Sequence, residues 1–495
     1  MSQQNAKIIL GLKIRQLRER LGISPQDMHE RTGISLSYFN EIEKGKKYPK
    51  GDKLAAIADA LDTSVDYLTD TQLDAELSPV GDLLQSNFLN ELQLPLFGIE
   101  LQKVVEVIAN SPTRVSAFIS TLLALSRDYE LREENFYFGA LRSYLELNRN
   151  YFDDLEDAVD AFRRTHELPD DAQISVDRLR FLLETIYDYS VVPNGLDDYP
   201  ELIGLRSVFV PKSRRLLLNS QLNRRQLRFQ FGKELGFCAL GLEERALTAS
   251  LLRGRSFQKV LNHSRAIYFS TALLMPRVAV QTDLAAFFAQ PTWNGEAFLQ
   301  IMRRYDASPE MFYHRLTNLL PRYFGLERIY FLRFTHDLNA DLFQIDRELH
   351  LTHRHHPHRN GLQEHYCRRW ISIDLLEDLR RMQNKGQYAE AIVGAQISHY
   401  HGTDDEYLCL TIARPAYPAP DVNVSVTLGI LLDEQSRSRI AFLKDESIQR
   451  KTVNQTCERC PITDCEVRAE HWYEVEKREA RRKIHQTIKR LTEGE

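Results

Sequence analysis

Three cysteines fall within nine residues in CERCPITDC, at Cys457, Cys460 and Cys465. A disulfide would use two and strand the third, whereas a C-x2-C-x4-C run of thiolates suits a metal centre still short of one ligand. Structural zinc takes four ligands and usually draws on a second C-x2-C or H-x3-H about 12–20 residues away. None follows: downstream lie only His471 and His485, and the nearest upstream thiol is Cys409. Thiolates this closely spaced can instead hold three irons of a [4Fe–4S] cluster, the fourth iron staying open or taking an unusual ligand. An iron–sulfur cluster is the expectation, zinc the alternative, and chance clustering of structural cysteines a third reading. Cys367, in HYCRRW, is a fourth-ligand candidate through space only. A second group of possible ligands is His350, His353, His355, His356, His358 and His365. Such a cluster can bind metal, but the Pro, Asn and charges of HRHHPHRN read as a solvated loop.

A different chemistry sits at the other end. The chain has 495 residues and a net charge of −5, yet residues 1–53 carry eleven Lys/Arg against six Asp/Glu. The residues from Lys7 to Asp70 read as short helices. Ile8, Leu10, Leu12, Ile14 and Leu17 line a first helix that Gly22 ends; Ser24-Pro25 starts a second, as N-cap and first helical residue. Gly33 stops it, Ser35 caps a third in SLSYFNEIEKG, and a fourth runs over Asp52–Asp62. Two short helices joined by a Gly-containing turn make a helix-turn-helix, whose second helix enters the DNA major groove. IRQLRERLGIS, RTGIS-S-F-EIEKG and LAAIADAL resemble the Cro/repressor (XRE) family. Carried over by position, the resemblance puts Ser35, Leu36, Ser37, Tyr38 and Asn40 at the base-facing end of the recognition helix. It puts Lys44, Lys46 and Lys47 near phosphates, which position without reading sequence. The family usually has Gln at the start of the second helix; here Pro25 stands there and Gln26 follows. One such module buries too little surface for useful specificity, so a homodimer on a double-stranded operator is implied. A helical protein-interaction module is the bland alternative.

The middle is helical, then changes character. Residues 71–98 read as a linker. From Ile99 to about His166, VVEVIANSPTRVSAFISTLLALSRDYELREENF and YFDDLEDAVDAFRRTHELP carry apolar residues at i, i+3 and i+4, either a dimer interface or a spacer. SVFVPKSRRLLLN reads as a hairpin, RRQLRFQFGKELGFCALG as a helix, and SRAIYFSTALLMP follows. In that order they resemble the ImmA/IrrE-like metallopeptidase domain, in which H-E-x-x-H on a helix places two His on one face for Zn²⁺ while Glu activates water. Here the aligned pentad is Lys233-Glu234-Leu235-Gly236-Phe237, and the third-ligand position falls on His263. With Lys and Phe in place of both His, the fold is expected and hydrolysis is not. A displaced site of His263 and Glu234 is the alternative.

Beyond Arg328 the pattern is mixed α/β. RIYFLRF, YLCLTIARP and VNVSVTLGILL read as strands, SIDLLEDLRRMQNK as a helix, and SVTLGILLDEQSRSRIAFLKD as strand, turn and helix; a ligand-sensing domain of the GAF or PAS kind would fit. HWYEVEKREARRKIHQTIKRL reads as a solvated basic helix with Glu–Lys/Arg pairs, or as a phosphate-contacting one. The helix-turn-helix, the degenerate middle and CERCPITDCEVRA together resemble the short-chain fatty acyl regulator family, with its C-x2-C-x4-C-x2-R-A hallmark at Cys457, Cys460, Cys465, Arg468 and Ala469. That resemblance implies control of acetate, propionate or glyoxylate genes, an acyl-CoA or CoA effector, and in some members an iron–sulfur cluster.

The expected architecture is multidomain, mainly α with α/β. It comprises an all-α Cro/C1-type helix-turn-helix at 1–70, a linker at 71–98, a helical spacer or dimerisation region at 99–168 and a degenerate zincin-like domain at 169–325. A mixed α/β sensor-like domain at 326–453 and a Cys-rich motif with a basic terminal helix at 454–495 complete it. No apolar run approaches the ~20 residues of a membrane span. Six sparse cysteines and an N-terminus without a signal-peptide core fit a reducing cytoplasm. The expected function is a sequence-specific transcriptional regulator, not an enzyme, with a small-molecule or redox signal. The rivals are a regulator-fused zinc peptidase and an effector-free, antitoxin-like DNA-binding protein.

Overall fold

The computed structural model describes residues 3–70, 94–98, 103, 133–169, 173–202, 204–248, 256–351, 364–417, 419 and 421–493. Two compact units divide the chain, Met1–Tyr144 with Leu252–Leu261, and Leu145–Leu251 with Asn262–Glu495. Most of the linker and helical stretch expected between 71 and 132, and His353, His355, His356 and His358, lie outside the described residues.

The first unit opens with five helices: α1 (Gln3–Arg20), α2 (Pro25–Thr32), α3 (Leu36–Glu43), α4 (Gly51–Ala60) and α5 (Val65–Thr69). Their starts are written in side chains. Ser24 and Asp27 form a reciprocal capping box with Pro25 at the first position, while Ser35 and Ser64 cap α3 and α5. Gly33 closes α2 in the left-handed conformation (φ 67°), which only glycine adopts freely. Leu10, Ile14, Met28, Phe39, Ile42, Leu54 and Ile57 pack into one core. Gly11 lets α1 cross α3 closely, because a Cβ there would lie 2.5 Å from the Ile42 carbonyl oxygen. The helices are pinned by charge. Arg18 donates to Glu43 at 2.6 Å and to the Ile23 carbonyl at 2.9 Å, and Lys13 Nζ reaches the carbonyls of Tyr67 and Asp70 at 2.8 Å.

After α6 (Glu133–Leu147), the second unit begins with α7 (Asp153–Thr165) and α8 (Val176–Ile186). A small sheet of order β1-β3-β2 follows: β1 (Ser190–Val192), β2 (Ser207–Val210) and β3 (Arg215–Leu218). β2 and β3 form the antiparallel hairpin expected from SVFVPKSRRLLLN. Then come α9 (Arg224–Ala239), α10 (Phe257–Leu274), α11 (Arg277–Phe288), α12 (Gly295–Arg304) and α13 (Pro309–Leu319). Gly232 and Gly236 allow α9 to lie against α10: a Cβ at 232 would meet Ser270 Oγ at 2.5 Å, and one at 236 the Ala266 carbonyl oxygen at 3.1 Å.

The remainder is a six-stranded sheet of order β5-β4-β8-β7-β6-β9. Its strands are β4 (Ile329–Asp337), β5 (Leu342–His350), β6 (Ile392–Tyr400), β7 (Glu406–Pro415), β8 (Val422–Leu431) and β9 (Gln449–Val453). Helix α14 (Ile371–Asn384) lies between β5 and β6 in sequence, with α15 (Glu434–Arg439) and α16 (Tyr473–Glu493) later. One face of the sheet, through Phe331, Leu410, Val426 and Leu428, joins the core of the preceding helices. The other, through Tyr330, Leu332, Phe334, Tyr407 and Cys409, packs on Leu376 and Leu379 of α14.

One expectation is corrected here. His350 belongs to strand β5, paired with Tyr330, and not to a solvated loop. LFQIDRELH hides its strand because only Phe343 and Ile345 alternate cleanly before three charged residues intervene.

A buried ion pair ties α7 to α13. Glu156 and Arg315 are both essentially inaccessible, Arg315 Nη2 donates to Glu156 Oε2 at 2.9 Å, and the Tyr268 hydroxyl donates to Glu156 Oε1 at 2.7 Å. Burial alone would raise the Glu156 pKa; Arg315 more than offsets that and lowers it. Removing one partner leaves the other charge buried and unpaired. Glu156→Ala is therefore expected to cost about 3–5 kcal/mol in urea unfolding, while Asp154→Ala, at an exposed ion pair, costs under ~1 kcal/mol.

Candidate functional site

On the helix-turn-helix, α3 presents Ser35, Leu36, Ser37 and Asn40 to solvent, while Phe39 and Ile42 face the core. Tyr38 is half-buried, with Lys53 Nζ 4.5 Å from its ring centroid. Lys44, Lys46 and Lys47 are exposed just past the C-terminal end of α3. Gln26 is exposed on the first turn of α2, its amide donating to Glu30 at 3.2 Å. The residues predicted from sequence thus bracket α3, with small polar groups at its capped start and exposed ammonium groups past its other end. In a helix-turn-helix the start of the second helix meets base edges and the flanking cations meet phosphates.

The degenerate pentad lies on α9. Glu234 is buried and fully engaged, accepting from Arg245 Nη2 at 2.5 Å, Gln230 Nε2 at 3.0 Å and the Tyr189 hydroxyl at 3.2 Å. Arg245 also lies 3.9 Å from the Phe237 ring centroid and 4.3 Å from that of Phe209. A guanidinium therefore fills the space beside the second lost ligand, and the carboxylate that would activate water is neutralised by it. Lys233 is 1% exposed. Burial pushes its ammonium down to about 8, Glu234 pulling the other way less strongly. His263, on α10, is held down to about 3 by burial and then by Lys233 and Arg245, so its imidazole is neutral. Sequence reading placed Lys233, Glu234, Phe237 and His263 near one another; it had no signal for Arg245, which arrives from outside the pentad's helix.

At the cysteine motif, Cys457 and Cys460 are buried and Cys465 is half-buried. The loop is clamped from two sides. Arg468 donates to the carbonyls of Cys457 at 2.7 Å and Cys460 at 3.2 Å, as well as to that of Ile462. On the other side, the residues before α14 form a short ladder with it: Tyr366 bridges Thr456, Cys367 N–H donates to Gln455 O at 3.0 Å, and Cys457 N–H donates to His365 O at 2.8 Å. Glu458, inside the motif and 2% exposed, accepts from the His365 backbone and ring. This ladder brings Cys367 to the motif. Its thiol is pushed up to about 11, first by burial and in smaller part by the neighbouring Cys457 and Cys460. Backbone N–H groups point at sulfur, from Asn454 to Cys367 Sγ at 3.5 Å and from Ala469 to Cys457 Sγ at 3.4 Å. Thiols with N–H donors to sulfur are of the type that holds a thiolate-bound metal, but among the described residues no three potential ligands are gathered around one point. His471 and His485 are exposed.

Residues 9–69 match the family model described as "Helix-turn-helix domain", and residues 196–317 that described as "IrrE N-terminal-like domain". The chain carries both domains. A propionyl-CoA carboxylase regulator of Cereibacter sphaeroides is 26% identical over 124 residues, 25% of this chain and 26% of its own length. An uncharacterized HTH-type transcriptional regulator of Mycobacterium tuberculosis is 38% identical over 58 residues, 12% of this chain and 41% of that protein. The chain thus spans well under half the length of these relatives. A solved Mycobacterium tuberculosis transcriptional regulator superposes with a TM-score of 0.47 at 18% identity, over 67% of this chain and 93% of that one. No helix among the described residues is long and apolar enough to cross a membrane.

The Lys233 burial has a pH consequence. The folded protein loses this proton near pH 8, the unfolded chain near the ordinary lysine value of about 10.4. Between these values the unfolded state holds more protons, so stability rises with pH across that window. Lys233→Met is expected to stabilise the protein by a few kcal/mol in urea at pH 7, with the gain shrinking towards zero between pH 8 and 10.5. A loss of stability at pH 7 would show that burial is not the dominant influence on this ammonium.

Proposed function

We propose that this protein is a sequence-specific DNA-binding transcriptional regulator that acts as a homodimer in the cytoplasm. The observation that carries the reading is the α3 face, with Ser35, Leu36, Ser37 and Asn40 exposed on a capped helix and Lys44, Lys46 and Lys47 past its other end. Two copies of this module on successive turns of an operator would supply the buried surface that one lacks. The relative named for propionyl-CoA carboxylase supports target genes in short-chain fatty acid, acyl-CoA or central carbon metabolism, and an acyl-CoA or CoA effector. With DNA selected from a random pool, Lys47→Gln is expected to weaken binding evenly across sequences and to lower the salt slope by about one. Asn40→Ala should cost about 1–3 kcal/mol and relax the preference at one base position. Equal salt slopes for Lys47→Gln and the parent would remove the α3 face from the interface.

The IrrE-like domain serves here as a scaffold rather than a peptidase. Lys233 and Phe237 offer no ligand for Zn²⁺, and Arg245 already holds Glu234. Proteolysis of a partner protein that vanishes in Glu234→Ala would instead establish the zinc-peptidase reading.

The second half of the proposal concerns signal input. Cys457, Cys460 and Cys465 would hold an iron–sulfur cluster of the [4Fe–4S] type, with Cys367 as fourth thiol; zinc is the competing occupant. A bound cluster would supply a redox-sensitive group. The protein's part is to fix the loop: Arg468 ties three of its carbonyls, Glu458 locks it to His365, and backbone N–H groups face two sulfurs. Anaerobic purification with iron, sulfide and zinc assays decides the occupant. Broad absorbance near about 400 nm, lost in Cys460→Ser, is the expected result; stoichiometric zinc without colour would make the loop a structural clip.

A further inference from the structure

The order β1-β3-β2 leaves β2 at an edge of the small sheet, and a sheet edge is a template for an extended chain. A piece of the same chain has taken it. Thr248 bridges Val208 in the antiparallel sense, and the Phe209 N–H donates to the Leu247 carbonyl at 2.6 Å. A second anchor lies three residues upstream, where the amide of the buried Asn262 on α10 donates to the Glu244 carbonyl at 2.7 Å. Residues 244–247 belong to no helix or strand, and Glu243, Glu244 and Leu247 are exposed.

Between the two anchors one side chain goes inward. Arg245 lies against the rings of Phe237 and Phe209, 3.9 and 4.3 Å from their centroids. Its tip donates to Glu234 at 2.5 Å and to the Tyr189 hydroxyl at 3.0 Å. Aromatic walls attract a cation, and the carboxylate, 2% exposed in its side chain, would be left buried and unpaired by a neutral occupant. The seat is therefore specific for a guanidinium. Main-chain pairing at a sheet edge gives affinity in extended-peptide recognition, and a side-chain pocket beside it gives specificity. Both parts are present here, with residues 244–248 as the occupant.

We propose that β2, Asn262 and the Glu234 seat form a docking site for an extended, arginine-bearing peptide of a partner protein, and that residues 244–248 hold this site closed in cis. The segment is gripped through two carbonyls and one side chain while much of the rest faces solvent, so a peptide offering the same three contacts replaces it. The incoming arginine takes the seat on Glu234. The carbonyl before it meets Asn262, and the carbonyl two residues after it meets the Phe209 N–H. The carboxylate of the degenerate pentad thus holds a side chain instead of activating water, and the bound peptide stays uncut. This inference goes beyond the regulator reading and needs none of it.

The probe is a synthetic peptide with the segment's own sequence, LEERALT, residues 242–248, blocked at both ends and titrated calorimetrically into the full chain. Arg245→Ala vacates the seat and leaves its walls intact. This variant should bind the peptide saturably, one to one, and at least roughly tenfold tighter than the parent chain, whose own segment competes. Citrulline in place of the peptide's arginine keeps the shape without the charge and should weaken binding at least roughly tenfold. Glu234→Gln added to Arg245→Ala should do the same. Mass spectrometry should recover the peptide intact. Absence of binding to Arg245→Ala, equal affinity for parent and variant, or equal affinity for the citrulline peptide would each overturn the proposal, and cleavage of the peptide would overturn it in favour of a peptidase. Arg245→Gln, which keeps more of the packing, takes the place of Arg245→Ala if that variant does not fold. If neither melts cooperatively, residues 244–248 are part of the fold and not an occupant, and the proposal falls. Operator binding by the parent chain is a separate readout that bears on the regulator reading alone.

Discussion

A sheet with apolar side chains on both faces has to be covered twice, and that requirement organises the second unit. Strands β7 and β8 are buried along nearly their whole length. Their alternate residues enter two separate cores: Leu410, Val426 and Leu428 pack towards the IrrE-like helices, Tyr407 and Cys409 towards α14. At roughly 25 cal/mol per Å² of apolar surface, either cover contributes tens of kcal/mol in gross burial, offset by the entropy of ordering the helices. The cysteine loop docks on the residues that lead into α14.

The middle domain shows how a fold can outlast its chemistry. Packing of α9 on α10 depends on Gly232 and Gly236, whose missing Cβ atoms leave room for Ser270 and Ala266, and not on the identity of the residues that follow each of them. His-to-Lys and His-to-Phe differences can therefore accumulate on α9 without disturbing the helix contact. Their electrostatic consequence is large all the same. A metal's charge is exchanged for an ammonium fixed in the same region, and the surrounding groups compensate: Arg245 engages Glu234, and burial keeps His263 neutral.

Legibility in the sequence followed the locality of the forces. Caps at Ser24 and Ser35, the Gly33 stop and the helical apolar spacing are decided within a few residues, and α2 and α3 fall where those signals put them; the short α5, capped by Ser64, went unread. The hairpin β2–β3 and the helix bearing Lys233-Glu234 are equally local. Strand β5 was not legible, because an edge strand with charged residues at 346–348 lacks the alternation that burial imposes. Cys367 stood between these cases. Its residue type made it a candidate, but its place beside Cys457 depends on the Tyr366–Thr456 bridge, a contact across ninety positions.

That bridge bears on how an event at the cysteine loop could be felt elsewhere. Tyr366 stacks edge-on against Phe334 of β4, at 5.2 Å between ring centroids, and Trp370 does so at 5.9 Å. Both rings belong to the core beneath α14. A loop that shifts its thiols must therefore either break its ladder with residues 365–367 or carry those rings with it. Close-packed cores resist small displacements and move between discrete arrangements. Any ligand state of the thiols that prefers one arrangement shifts the population by its difference in affinity for the two, and by nothing else.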